Sequence, residues 1–365
     1  MENNIKIEKR IEKLRKSLFE KQIDCYMVLS EENRYYFSDF KGEDTTFYES
    51  AGCLLITDKS LILATDSRYE LEAKNEAPLY EVCIYKEGLP KEMPKLIKML
   101  DIKKIGFEGA RLSIVLCNKI IDEIKKANLN TVLIEADELL DLIREIKDEQ
   151  EIELIKKSLF LAESVFKDAS NLISTDITEK EFSWIMEKKM REAGASSMAF
   201  PPIVASGPNG ALPHAKPTDR LLKEFEPIII DWGLKLNSYC SDITRTVLIG
   251  EKDDTFKRVY DIVSFAQKKA TQAIRAGSNS KEIDNIARSY ISDNGFGDNF
   301  GHSLGHGVGL AVHEGPRLSP FRETILKPGM VFTVEPGIYI PGWGGIRLEN
   351  MVAVTDDGSI ILNTI

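Results

Sequence analysis

Apolar residues at Ile7, Ile11, Leu14 and Leu18 recur at helical spacing with charges between them, which predicts an amphipathic helix over residues 5–22. Cys25–Leu29 reads as a short buried strand. The runs GCLLIT and SLILAT flank Asp58-Lys59, the pattern of a hairpin over 51–65. Helices are expected near 67–76, 90–100 and 114–127, with strands near 80–85, at KKIGFE and near 131–134. The first third thus alternates helix and strand, without a Gly-rich phosphate loop. The pattern breaks near 140–150. Asp148 is placed to cap a long helix through about 173, with Ile152, Ile155, Leu159, Phe166 and Ala169 as its apolar positions. Thr178-Glu179-Lys180-Glu181 is a capping box that opens a second helix. Two more helices, about 254–276 and 280–293, end at Gly277 and Gly295 and separate two regions of strand–turn–strand pattern. Helix-helix-hairpin therefore occurs twice, the order of a duplicated half.

The hairpin regions carry the chemistry. PIIIDWG is an apolar strand ending in Asp231, and SYCSDITRTVLI sets Asp242, Thr244 and Thr246 on one face by the period of two. A turn at GLKLN would let Asp231 and Asp242 face each other across an antiparallel pair. Downstream, GMVFTVEPGIYI carries Glu335, PGWGG turns the chain, and GIRLENMVAV returns Glu349. Between the two lies GHSLGHGVGLAVHE, with His302, His306 and His313, three of the four histidines in the chain. One imidazole with four carboxylates is an oxygen-rich donor set for divalent metal ions. A single ion would leave two negative charges uncompensated in a buried place, whereas two ions cancel all four and readily hold a bridging hydroxide. Two divalent ions are therefore expected, manganese first, with iron, cobalt and zinc as alternatives.

A length of 365 residues favours two domains. The net charge of −10 argues against a nucleic-acid binder. Five scattered cysteines (Cys25, Cys53, Cys83, Cys117, Cys240) without a CxxC pair indicate reduced thiols. The N-terminus lacks an apolar leader and no run approaches 18 apolar residues, so a cytoplasmic protein without membrane contact is expected.

The run from His302 to Glu314 resembles the signature of the proline peptidases of the methionine-aminopeptidase superfamily, and the DWG, SDITRT, TVEPG and RLE segments stand where that superfamily keeps its other ligands. NRYYFSDF and TDSRY are similar to landmarks of the creatinase-type N-terminal domain. The resemblance implies an α+β protein. A pita-bread catalytic domain with a curved antiparallel sheet (146–365) would follow an α/β creatinase-like accessory domain (1–145). By position, Asp231 would hold one metal, Asp242 and Glu349 would bridge both, and His306 and Glu335 would complete the second. Glu335 would also take the proton of the attacking hydroxide's parent water. His313 would serve the tetrahedral intermediate or the leaving nitrogen, and His302 and His214 would stand on the substrate side. Arg347 would orient a bridging carboxylate, with Tyr339 near it.

The implied reaction is removal of the N-terminal residue before proline, an Xaa-Pro aminopeptidase first and an Xaa-Pro dipeptidase second. A strict dipeptidase needs a cation for the product-side carboxylate; Arg317 is either that group or a structural loop arginine. Peptides are the expected partners, and a homodimer is implied by the resemblance. A creatinase-like metal-free hydrolase, a methionine aminopeptidase and a non-enzymatic pita-bread binding module are the competing classes. The intact donor set argues against the first and third, and the accessory domain against the second.

Overall fold

A computed structural model of the chain describes residues 2–44, 46 and 49–365. It divides into two compact units, Met1–Ile143 and Arg144–Ile365.

In the first unit, α1 (Glu2–Lys21) buries the stripe Ile7, Ile11, Leu14 and Leu18, each at most 3% exposed. Then come β1 (Cys25–Val28), α2 (Glu31–Ser38), β2 (Cys53–Thr57), β3 (Leu61–Thr65), α3 (Glu70–Glu76), β4 (Glu81–Ile84), α4 (Leu89–Leu100), β5 (Lys104–Phe107), α5 (Ile114–Lys126), β6 (Val132–Glu135) and α6 (Glu138–Arg144). One mixed sheet runs β4-β3-β2-β1-β5-β6. The β1–β2 and β2–β3 pairs are antiparallel, and the other three are parallel. β1 and β2 are buried throughout, which is why they read as unbroken apolar runs. The pattern missed α2, whose Asn33 and Arg34 are buried polar residues; the Arg34 guanidinium pairs with Asp44 at 2.7 Å. It also missed α6. Thr45, Phe47 and Tyr48, beside the NRYYFSDF landmark, lie outside the described residues.

The second unit opens with α7 (Glu149–Ala169) and α8 (Glu179–Glu192), then β7 (Ser197–Met198), β8 (Ile203–Ser206), β9 (Pro227–Trp232), β10 (Leu234–Leu236), β11 (Tyr239–Cys240) and β12 (Ile243–Leu248). After α9 (Asp254–Ala273) and α10 (Ser280–Asp293) follow β13 (Gly305–Gly307), β14 (Glu314–Leu318), β15 (Val331–Val334), β16 (Gly337–Ile340), β17 (Gly344–Arg347), β18 (Asn350–Val354) and β19 (Ser359–Ile361). Helix pair and strands do occur twice, but the second set is larger. The sheet β12-β9-β8 has three strands and β14-β13-β15-β18-β19 has five. α9 buries Phe256, Val259, Val263 and Ala266 in one core with Ile283 and Ala287 of α10 and with Phe332, Val334 and Val352 of the five-stranded sheet.

Both predicted helix starts are present. Asp148 accepts from the Gln150 and Glu151 amides, each at 2.9 Å, and Glu151 accepts from the Asp148 amide at 3.0 Å. Asp148→Ala is expected to cost this unit about 1 kcal/mol. Urea unfolding followed by tryptophan fluorescence checks this, since Trp184, Trp232 and Trp343 all lie in it.

The turn at GLKLN differs from expectation. Leu234–Leu236 is itself a strand, and the chain reverses at Asn237-Ser238, where φ is +49° and +69°. This extra hairpin shifts the pairing of β9 with β12, so that Asp231 lies opposite Thr244 and not Asp242. All five cysteines are free thiols. Among the described residues no helix is long and apolar enough to cross a membrane.

Candidate metal centre

Three of the four acidic positions stand where strands are interrupted. Asp242 sits between β11 and β12, Glu335 between β15 and β16, and Glu349 between β17 and β18; Asp231 is within β9 near its end. A break in the ladder releases a side chain from strict alternation and turns it inward. The backbone at these breaks is still held: the Glu335 amide donates to Leu304 O at 2.8 Å and the Glu349 amide to Thr244 O at 3.2 Å. His306 is the middle residue of β13. The flanking glycines are required by close approach, because a Cβ on Gly305 would collide with Thr333 O and one on Gly307 with Gly315 O.

These elements bring all five candidate ligands into one pocket of about 550 Å³, together with His214, His302, His313, Arg317 and Arg347. Among the described residues, Asp242, His306 and Glu349 each offer a ligand atom within 4.8 Å of the others. His306 Nε2 is 3.5 Å from Asp242 Oδ2 and 3.3 Å from Glu335 Oε1. Three of the four carboxylates are oriented from behind. Arg347 Nη2 donates to Asp231 Oδ2 at 2.7 Å, Thr244 Oγ1 to Glu349 Oε2 at 2.7 Å, and Thr333 Oγ1 to Glu335 Oε1 at 2.9 Å. The opposite oxygens, Asp231 Oδ1 and Glu349 Oε1, are buried with no hydrogen-bond partner. A buried lone pair left open beside one that is fixed is what a cation ligand requires.

The charges agree. Burial pushes the Asp242 and Glu349 carboxyls well above the usual carboxylate range, and neighbouring carboxylates raise them further. Asp231 is raised by burial against the pull of Arg347. A cluster that resists holding its own charge is stabilised by divalent ions, so the residues present fit such a group.

The remaining groups are ordered by one chain of hydrogen bonds. His302 Nδ1 lies 2.8 Å from Ser303 O, which only a protonated Nδ1 can satisfy, so Nε2 accepts from Tyr339 Oη at 2.9 Å. Tyr339 Oη accepts in turn from Arg347 Nη1 at 2.8 Å. Both nitrogens of His302 are thus taken up inside the protein. Tyr339 does not line the pocket and acts behind Arg347. His313 stands 4.2 Å, ring to ring, from His306. Partial burial and the neighbouring His306 and Arg317 push it down to about 4, so it is neutral at pH 7. Cys240 is packed in the core, with its thiol toward Leu310 O at 3.5 Å.

Residues that the motifs did not single out also matter here. Thr333 donates to Glu335, and Pro213 O accepts from Arg347 Nη1 at 3.1 Å. Phe200 and Pro202 form an apolar wall.

Residues 153–356 match metallopeptidase family M24, and residues 10–146 match the creatinase/prolidase N-terminal domain. The chain is 36% identical over 354 residues to an Xaa-Pro dipeptidase of Pyrococcus furiosus, covering 97% of each. Its structure is similar to that of an Xaa-Pro dipeptidase from Bacillus anthracis, with a TM-score of 0.91 and 37% identity over 98% of both chains. It is also similar to an X-Pro aminopeptidase from Thermotoga maritima, with a TM-score of 0.85 and 38% identity over 94% of this chain and 96% of that one. With both halves matched and a donor set for divalent ions in the second, the chain belongs to metallopeptidase family M24 and joins a creatinase-type N-terminal domain to a pita-bread catalytic domain.

Proposed function

We propose that this metallopeptidase is an Xaa-Pro dipeptidase, with Asp231, Asp242, His306, Glu335 and Glu349 holding two divalent ions, manganese before cobalt, zinc or iron. The observation that carries the dipeptidase reading is Arg317. Strand register sets it opposite His306, on the same face of the sheet. It lines the pocket, and among the described residues no carboxylate pairs with it. A dipeptide presents its own carboxylate one residue beyond the scissile bond, where a longer peptide has a neutral amide. A guanidinium at the wall of the pocket favours the former. The names of the Pyrococcus and Bacillus relatives support the same order, which reverses the one expected from sequence. The Thermotoga relative favours the second reading, an Xaa-Pro aminopeptidase.

Divalent ions bound at this donor set lower the pKa of water toward about 7 and polarise the scissile carbonyl. Glu335 takes a proton from the attacking water and returns it to the departing proline nitrogen, so that Xaa and proline are released. Neutral His313 donates a hydrogen bond to the oxygen of the tetrahedral intermediate. His214 contacts the substrate from its loop, and His302 contributes ring surface alone. Arg347, held by Tyr339, fixes Asp231. Two copies per molecule and cytoplasmic residence complete the reading.

The test is hydrolysis of Ala-Pro beside Ala-Pro-Ala by apo protein reloaded with Mn(II). Cleavage of the dipeptide alone supports the proposal, and cleavage of the tripeptide moves the protein to the second reading. Arg317→Met is expected to raise KM for Ala-Pro by about 10- to 100-fold, the loss of one charge-assisted hydrogen bond. An unchanged KM would return Arg317 to a structural role.

A further inference from the structure

The segment between β8 and β9 carries His214, yet little on His214 itself holds it in place. It is exposed, and among the described residues its ring makes no hydrogen bond. Its position therefore depends on the backbone of its segment. One carboxylate fixes both ends of that segment. Glu179, the first residue of α8, is fully buried. Its Oε1 accepts from the amide and hydroxyl of Ser206, at 2.7 and 2.8 Å, where β8 ends. Its Oε2 accepts from Asn209 Nδ2 at 2.8 Å and from the amide and hydroxyl of Thr218, at 2.9 and 2.6 Å. Asn209 also donates to Lys216 O at 3.3 Å, which closes the loop across its middle. Halfway along, Pro213 O accepts from Arg347, the residue that orients Asp231.

We infer that Glu179 is a positioning residue: it clamps the 206–218 segment and thereby sets His214 against the substrate and Pro213 O against Arg347. A buried carboxylate with five donors aimed at it supplies acceptors alone, and no neutral side chain of the same shape can do so. In Glu179→Gln the amide nitrogen must face either the Ser206 donors or those of Asn209 and Thr218, so one end of the segment loses its side-chain acceptor while the side-chain volume is kept. The inference rests on the role given to His214 above.

The experiment compares Glu179→Gln, His214→Ala and the double variant in the full, Mn-reloaded chain, with Ala-Pro or Ala-Pro-Ala as substrate, whichever is cut. Metal content is measured beside kcat and KM. Glu179→Gln is expected to lower kcat/KM by about 10- to 100-fold through displacement of a substrate contact. Metal content should stay at the wild-type level, and adding Glu179→Gln to His214→Ala should cost little more. Losses that multiply in the double variant, or full activity in Glu179→Gln, would overturn the clamp. Full activity in His214→Ala would instead overturn the substrate role of His214. Thr218→Val removes one hydroxyl donor from the clamp, together with the acceptor of the Arg220 amide at 3.2 Å, and keeps the Thr218 amide bond to Glu179. A smaller loss, with the same KM-against-kcat division as His214→Ala, is expected, and it decides the matter if Glu179→Gln does not fold.

Discussion

Glu335→Gln is expected to lower kcat by about a hundredfold to ten-thousandfold, the range for removing a general base. The substitution is nearly isosteric, and the local backbone should hold. The residue's amide keeps its bond to Leu304 O, and a Gln oxygen can still accept from Thr333 Oγ1. What disappears is the negative charge 3.3 Å from His306 Nε2 and the ability to take a proton. Burial alone would push this carboxyl up, but the hydrogen bond and charge of His306, with His302 and Arg347, outweigh it. Glu335 is therefore ionised at neutral pH. Metal content of the variant separates the two roles proposed for Glu335. Lost turnover with both metals retained isolates the proton transfer, and lost metal with lost turnover identifies a ligand first. Wild-type kcat in a variant of confirmed sequence would remove Glu335 from the mechanism.

The second large effect is on stability. Glu314 follows His313 directly, and its carboxylate is 10% exposed. It is paired with the Arg144 guanidinium and, at 2.7 Å, with the Lys147 ammonium, which is 1% exposed; the Ala311 amide donates to it at 3.3 Å. Burial raises the carboxyl, but Arg144 and Lys147 more than offset this and hold it below its ordinary value. Because the folded value lies below the unfolded one, the pair stabilises fully above the unfolded carboxylate value of about 4.3. That stabilisation is lost as pH falls through the folded value. Glu314→Gln leaves the buried Lys147 without its carboxylate and is expected to cost about 3–5 kcal/mol at pH 7. The gap between wild type and variant should narrow as the pH is lowered below about 4. Urea unfolding at a series of pH values, followed by the fluorescence of the three tryptophans, reads both. A gap below about 1 kcal/mol at pH 7, or one independent of pH, would mean the pair carries no more than an exposed one. Since Glu314 also anchors the turn that precedes it, some loss of activity through His313 is expected.

Much of this protein is legible from local pattern. The stripe on α1, the Asp148 and Thr178 caps and the strand run of β9 are set by residues within a few positions of one another, where spacing and hydrogen-bonding groups act directly. The motif residues were likewise readable: Asp231, Asp242, Glu335 and Glu349 stand in strand–turn–strand settings and His306 in a Gly-rich segment between them, and the fold brings all five to one pocket. The sequence could not say which oxygen of Asp231, Glu335 and Glu349 is held. That depends on Arg347, Thr244 and Thr333, and Arg347 lies 116 positions from Asp231. Nor could spacing foresee the Asn237-Ser238 hairpin that moved Asp242 off the register of Asp231, because two left-handed residues at a turn look locally like any polar loop. Glu179 illustrates the limit most clearly. In the sequence it is one acidic residue of a capping box; in the folded chain its carboxylate binds residues 27 to 39 positions away. A side chain's partners within one turn of helix or one hairpin follow from the order of the residues. Its partners across a loop exist only once burial has removed water as the alternative, and the tertiary structure alone decides them.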